Sequence, residues 1–460
     1  MSKFFSRTPI QVDYLETDNR KIHTPIPCEG SISTLDRLDK YESRSMHGQI
    51  PMVWHKAIGF NIFDEAGNKW IDLTSTIFVT NIGHSNPYLT QKLKDAIDSD
   101  LLHTYAYTNQ IRADYLEKLI DFAPNNFEKA FLLSAGTETT EAALKLMRMN
   151  GQKSSNKKIG IVCFEGNWHG RTMGAQMMGG NEGQKEWIGY KDPNIYHIRF
   201  PYPWVLENEG VTAEKFLDQE IENLITRNNI DMNDDICGFM LETFQGWGAV
   251  FYPKDFVKKI REICDNHKIL LCFDEMQAGF YRTGEKFGYQ HYDVIADIIC
   301  CGKGIGSGVP LSAVLSTAEI MDLPSVGNMS STHSANPLVC AAGLATLEFM
   351  EDNNIGEKSK ILGEKFHSRL NELKEKFPNL ISRIEGDGMI AAIIFKIDDV
   401  SLGSEIASKA SWECFKKGVF VVHTGRESIK LGPPLTIPEV ALMESLDVID
   451  EVLVEVNNEY

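Results

Sequence analysis

Positive charge is scarce in this 460-residue chain: 46 Lys and Arg stand against 64 Asp and Glu, a formal net charge of −18. With no excess cation to neutralise phosphates, general binding to nucleic acid is not expected. Long apolar runs are missing too. No stretch approaches the ~20 residues that cross a membrane, and the opening MSKFFSRTPIQVDY lacks the apolar core of a secretory signal. A cytoplasmic protein with no membrane partner is expected. Cysteine is present, nine in all, but in an odd number, with no metal-ligand spacing and no C-x-x-C. Cys163, Cys237, Cys272, Cys300 and Cys301 sit inside apolar runs, the pattern of buried thiols in a reducing compartment, so no metal site is predicted.

A hydrophobic share of 43% with 24% charged residues is that of a globular enzyme, and the length allows two or three domains. Residues 1–65 read as a mixed polar arm followed by a hairpin, in which GFNIFDEAGNKWIDL alternates around Glu65-Ala66-Gly67-Asn68. Residues 66–337 alternate helices with short, nearly all-apolar runs: KAFLLS, KIGIVCFEG, ICGFMLET, ILLCFDE and DIICCG. Such runs are buried on both faces of a sheet, which predicts an α/β domain with a mainly parallel sheet and a ligand site at the carboxyl ends of its strands. Residues 338–460 change character, with long amphipathic helices flanking GMIAAIIF and GVFVVHTG, a smaller α+β domain that the N-terminal arm would complete.

The chemically interesting residues follow the apolar runs. Ser134-Ala135-Gly136-Thr137 leads straight into a helix, where free N–H groups and a hydroxyl suit a phosphate; a plain Thr cap is the equal alternative. Trp168 leaves the next strand beside His169 and Gly170, where an aromatic can stack on a planar ring or simply pack. Asp274 closes its strand as a carboxylate able to pair with a protonated ring nitrogen, and an unpaired buried carboxylate would be costly. Lys303, between two glycines, could form a Schiff base with an aldehyde, although most loop lysines only face solvent. Phosphate cradle, stacking aromatic, pairing Asp and Schiff-base Lys are together the contacts pyridoxal 5'-phosphate (PLP) requires. Asp274-Glu275 and Lys303 are expected to face one cavity as a clamp.

Seven segments in order resemble the class III (ω-) aminotransferases, a branch of the fold type I PLP enzymes. They run from DLTSTIFVTNIGHSNP through SAGTETTEAALKL, NWHGRT, FDEMQAGFYRTG, DIICCGKGIGSGVPLSA and STHSANPLVCAAGLATLE to IKLGPPLTI. The resemblance implies an α/β fold with a seven-stranded large-domain sheet and a smaller α+β C-terminal domain. It implies that Gly136 and Thr137 take the phosphate, Trp168 and Met276 flank the ring, and Asp274 pairs the ring nitrogen. By the same likeness Gln277 reaches the ring hydroxyl, Glu242 is the family's strand-end glutamate, and Lys303 carries the cofactor and acts as base. Thr332 would complete the neighbouring subunit's phosphate site, implying a homodimer with shared active sites, or a tetramer of such dimers.

The departures concern substrate. Where many members carry a carboxylate-gripping arginine and its partner glutamate, this chain has Lys430 and Trp247. Lysine lacks the bidentate fork of arginine. Trp247 is expected to lie against Lys430 or over its ammonium, and Arg426 is a candidate replacement guanidinium. 2-Oxoglutarate is therefore not favoured as acceptor, and pyruvate or an unusual keto acid gains ground. Ile77, Phe78, Tyr105 and Tyr107 are further pocket candidates, with ordinary core or interface packing as the plainer reading. The expected activity is transfer of an amino group from an ω-amine or amino acid to a keto acid. A PLP-dependent ammonia- or phospho-lyase, an aminomutase, and a non-catalytic binding protein are the alternatives.

Overall fold

A computed structural model describes residues 5–460 of the chain. Its centre is a seven-stranded sheet made of β1 (Lys129–Leu133), β2 (Gly160–Phe164), β3 (Ile195–Ile198), β4 (Ile236–Glu242), β5 (Leu270–Asp274), β6 (Ile298–Cys301) and β7 (Ser312–Ser316). The spatial order is β1-β7-β6-β5-β4-β2-β3. Six strands run parallel, and β7 runs antiparallel between β1 and β6. All five predicted strands are present; β3 and β7 join them. The tripeptide Tyr196-His197-Ile198 of β3 and the small residues of β7 interrupt the purely apolar pattern, which is why the runs alone do not announce them.

Alternation divides the sheet's side chains between two cores. Ile161, Cys163, Met240, Cys272 and Cys300 pack on one side with Ala143, Leu146 and Met147 of α1 (Gly136–Gln152). Val162, Phe164, Phe239, Leu241, Leu271, Phe273, Ile299 and Cys301 pack on the other. Both faces are covered, so the strand ends are where a ligand can enter. All nine cysteines are buried and none forms a disulfide.

The hairpin expected around residues 65–68 forms, pairing Asn61–Phe63 with Lys69–Asp72. GVFVVHTG behaves differently from the single strand expected. Val419–Phe420 pairs in parallel with Ile71 and Asp72, and Val422–His423 pairs with Ser428–Leu431 in a separate four-stranded antiparallel sheet. That sheet also contains Ile381–Asp387 and Ile390–Phe395 and packs with helices Ile355–Lys376 and Val400–Lys416. The N-terminal segment reaches the last helix, Glu439–Asn457, where Arg20 Nε donates to Glu444 at 2.7 Å.

Candidate active site

Glu242 ends β4, Asp274 ends β5 opposite it in register, and Lys303 follows β6 by two residues. The three chain ends, with the loops after β1 and β2, enclose a cavity of about 230 Å³. Gly136, Thr137, Trp168, Glu242, Asp274, Met276, Gln277 and Lys303 all line it. Every residue expected to hold the cofactor within one subunit is therefore gathered there.

Asp274 is fixed from two directions. Its Oδ2 lies 2.9 Å from His169 Nδ1, and its Oδ1 accepts from the Met276 backbone N–H at 3.1 Å. From the sequence His169 stands only as Trp168's neighbour; its place beside an aromatic at a strand end is the available signal. Glu242 Oε2 accepts from Trp168 N–H at 2.9 Å and so anchors the loop that carries the ring. Burial raises the Glu242 carboxyl to about 7. Trp168 itself is 38% exposed, with the Arg171 guanidinium 4.4 Å from its ring centroid.

Lys303 occupies the left-handed region, φ 46°, between Gly302 and Gly304. Burial lowers its ammonium below the ordinary lysine value, while Asp274 and then Glu242 pull it back up. Among the described residues its Nζ makes no hydrogen bond. Packing nearby is close: a Cβ on Gly302 would stand 2.4 Å from Met276 Sδ, and one on Gly136 2.6 Å from the same atom, so the Met276 side chain would have to move. A Cβ on Gly170 would meet Thr137 Oγ1 at 2.3 Å. Thr137 Oγ1 is also 2.6 Å from Thr172 Oγ1. Open backbone at the start of α1, a hydroxyl pair beside it, a braced carboxylate and an uncommitted amine fit a phosphorylated pyridine aldehyde.

The acidic pair does not act as one clamp. Glu275 points away from the cavity and accepts from Gly288 N–H at 2.7 Å, Tyr289 N–H at 2.8 Å and the Thr243 hydroxyl. Consecutive strand residues face opposite sides, so only Asp274 reaches the ligand space.

The substrate candidates are dispersed. Lys430 is buried; it donates to Gly246 O and, at 3.0 Å, to Gln277 Oε1, with its ammonium 4.6 Å from the Phe78 ring centroid. Among the described residues the Lys430 amine lies over the Phe78 ring and not over Trp247. Trp247 instead stacks under Arg426, 3.9 Å from ring centroid to guanidinium carbon, and donates from Nε1 to Gln245 Oε1 at 2.9 Å. Arg426 is neutralised by Glu427, 3.0 Å away, and is not a free replacement for the family arginine. Phe78 is buried against Lys430 and Gly432 instead of lining the cavity, whereas Ile77 is 39% exposed. Both belong to a left-handed turn, Ser75–Phe78, with φ 45° to 68°. Tyr105, Tyr107 and Thr332 are exposed and line no part of this cavity; the Thr332 carbonyl lies 2.8 Å from His103 Nε2.

The family model for "Aminotransferase class-III" matches residues 43–453. The chain belongs to the class III aminotransferases. It is accordingly a PLP-dependent enzyme of amino-group transfer. An ornithine aminotransferase of Saccharomyces cerevisiae is 31% identical over 430 residues, covering 91% of this chain and 97% of that protein. A 4-aminobutyrate aminotransferase of Mycobacterium leprae is 30% identical over 447 residues, covering 95% and 98%. Among solved structures, a transaminase from a marine Virgibacillus superposes with a TM-score of 0.84 at 22% identity, covering 93% of this chain and 99% of that one. The ornithine aminotransferase of Toxoplasma gondii superposes at 0.82 and 22%, covering 95% and 97%. For this class III aminotransferase, no described helix is long and apolar enough to cross a membrane.

Proposed function

We propose that the donor is an ω-amine or an amino acid bearing a terminal amine, the acceptor a keto acid, and the working unit a cytoplasmic homodimer. The free Lys303 amine facing the braced Asp274 in one cavity is the observation that carries the catalytic part of this reading. The relatives named above act on ornithine and 4-aminobutyrate, both of which carry a primary amine on a terminal carbon. The homodimer reading rests on Thr332, Tyr105 and Tyr107, which are exposed here and suit a neighbouring subunit's site.

PLP, when bound, supplies the electron sink that makes a proton on the substrate's amine-bearing carbon removable. The chain supplies the rest. Gly136 and Thr137 would hold the phosphate through backbone N–H groups and a hydroxyl, and Trp168 and Met276 would flank the ring. Asp274, oriented by His169, would hold a proton on the ring nitrogen. Lys303 Nζ would tether the aldehyde carbon and, once released, move a proton at the substrate carbon. Its lowered pKa keeps more of it in the neutral, reactive form.

The test is a panel of terminal amines, each with and without pyruvate or 2-oxoglutarate. Keto-acid-dependent formation of a new amino acid without free ammonia supports the reading. Steady ammonia release without a keto acid would replace it with a lyase.

A further inference from the structure

The buried amine of Lys430 occupies a position that matters for a neighbour. Lys430 stands on Ser428–Leu431 of the four-stranded sheet, opposite Ala392 and Val422. From there it crosses to the seven-stranded sheet's loops, reaching Gly246 after β4 and Gln277 after β5. Gln277 lines the cavity; Lys430 does not.

Burial lowers the Lys430 amine to about 7, and in the structure it donates to the carbonyl oxygen of Gln277, at 3.0 Å. That leaves Nε2 as the amide's other end. Among the described residues Nε2 donates to nothing, and it lies over the Gly246 backbone, where a Cβ would be 2.4 Å from it and 2.9 Å from Glu242 Oε1. Gly246 is thus tied on both sides: its carbonyl accepts from Lys430, and its N–H is 3.5 Å from Glu242 Oε2. The amide has one orientation that takes the Lys430 hydrogen bond on its carbonyl oxygen.

We propose that Lys430 is a positioning residue: by taking Gln277 Oε1 and Gly246 O, it presents Gln277 Nε2 as a fixed donor to an anionic oxygen in the cavity. The oxygen of matching chemistry is the ring phenolate of the cofactor, so this inference rests on the PLP reading. It also assigns the Lys430 ammonium to the protein and not to a substrate carboxylate, since its contacts are already made. Without Lys430 the amide is free to turn, and a carbonyl oxygen facing a phenolate repels it.

Visible spectra of the holoenzyme follow the pH midpoint of the bound cofactor's absorbance band, and dialysis gives cofactor affinity. Loss of a donor to the phenolate raises the midpoint. Lys430→Met is expected to raise it by about half a unit or more and to weaken cofactor binding about threefold. Lys430→Arg, which keeps a donor, restores both and serves as the check that a fault in folding is not being read. Gln277→Ala produces the same shift, and adding Lys430→Met to it changes nothing further. Independent, additive shifts overturn the proposal, because Lys430 would then act on the cofactor directly. An unmoved band with a raised KM for the keto acid overturns it in favour of substrate binding. A wild type with no visible band sinks the cofactor reading, and this inference with it.

Discussion

His169 Nδ1 and Asp274 Oδ2 are 2.9 Å apart, with the two side chains 0% and 3% exposed. The imidazole N–H donates to the carboxylate and sets its plane, and among the described residues the buried His169 Nε2 has no hydrogen-bond partner. With Oδ1 accepting from the Met276 N–H, both carboxylate oxygens are held by protein, and the group is fixed where it lines the cavity. A histidine that bonds only its neighbour has a positioning role.

Replacing His169 by Leu should leave Asp274 with one fewer donor inside the protein, at a cost of about 1–3 kcal/mol shared between stability and cofactor binding. We expect cofactor affinity to fall by roughly tenfold, with kcat for any accepted donor falling alongside. Asp274→Asn should cost more, about 100-fold in kcat, because it removes the charge and not only its orientation. Equal affinities for wild type and His169→Leu in equilibrium dialysis would remove the histidine from this account.

Lys303→Ala should abolish the tether, and the visible band of the tethered cofactor with it, and lower turnover by at least about 10²-fold. Its pH behaviour is equally specific. Burial lowers the folded-state value below the ordinary 10.5, so the neutral amine appears at lower pH than in a free lysine and is lost as pH falls through that value. The rate at which the apoenzyme captures PLP should rise with pH along a curve centred below 10.5. Stopped-flow growth of the band measures it; a midpoint at 10.5 or above contradicts the burial argument.

The difference between Asp274 and Glu275 shows how far the sequence could be read. Apolar runs ending in Glu242, Asp274 and, shortly after β6, Lys303 were enough to place three groups at one end of one sheet, because strand direction and burial are written in composition. Which of two adjacent acids faces the ligand depends on strand phase, and nothing local in Asp-Glu reveals it. The same holds for Lys430 and Arg426. Both are cations near one loop, and only the fold shows one spanning two sheets and the other capping Trp247. His169 is visible in the sequence without a role, since a lone histidine gains one only when its partner's position is known.

Arg282 is fully buried with no carboxylate partner among the described residues, and donates to Met389 O at 3.0 Å, Pro433 O at 2.6 Å and Asn81 Oδ1 at 2.8 Å. It also reaches Ser75 Oγ at 3.4 Å, the first residue of the left-handed turn. One side chain therefore joins the loop after β5, the four-stranded sheet and a turn whose four non-glycine residues each cost about 1–2 kcal/mol of backbone strain. Arg282→Met should leave three buried acceptors unmet and destabilise the protein by about 3 kcal/mol or more. Urea unfolding of the apoenzyme reads this directly. A change under 1 kcal/mol would mean that water replaces the guanidinium there.

Glu242 supplies a pH signature of stability. Its carboxyl holds its proton to about 7 in the folded protein, against an ordinary 4.5, because burial disfavours the charge. Between these values the folded state binds the proton and the unfolded state does not, so the associated stability is full below 4.5 and is lost as pH rises to about 7. The whole loss is about 3 kcal/mol for one group. Glu242→Gln keeps an oxygen for the Trp168 N–H and has no proton to lose. Relative to wild type, the variant should therefore gain stability steadily from pH 5 to 7 and no further above it. Urea midpoints at pH 5, 6, 7 and 8 test the shape of that difference. A flat difference would mean that Glu242 is ionised throughout.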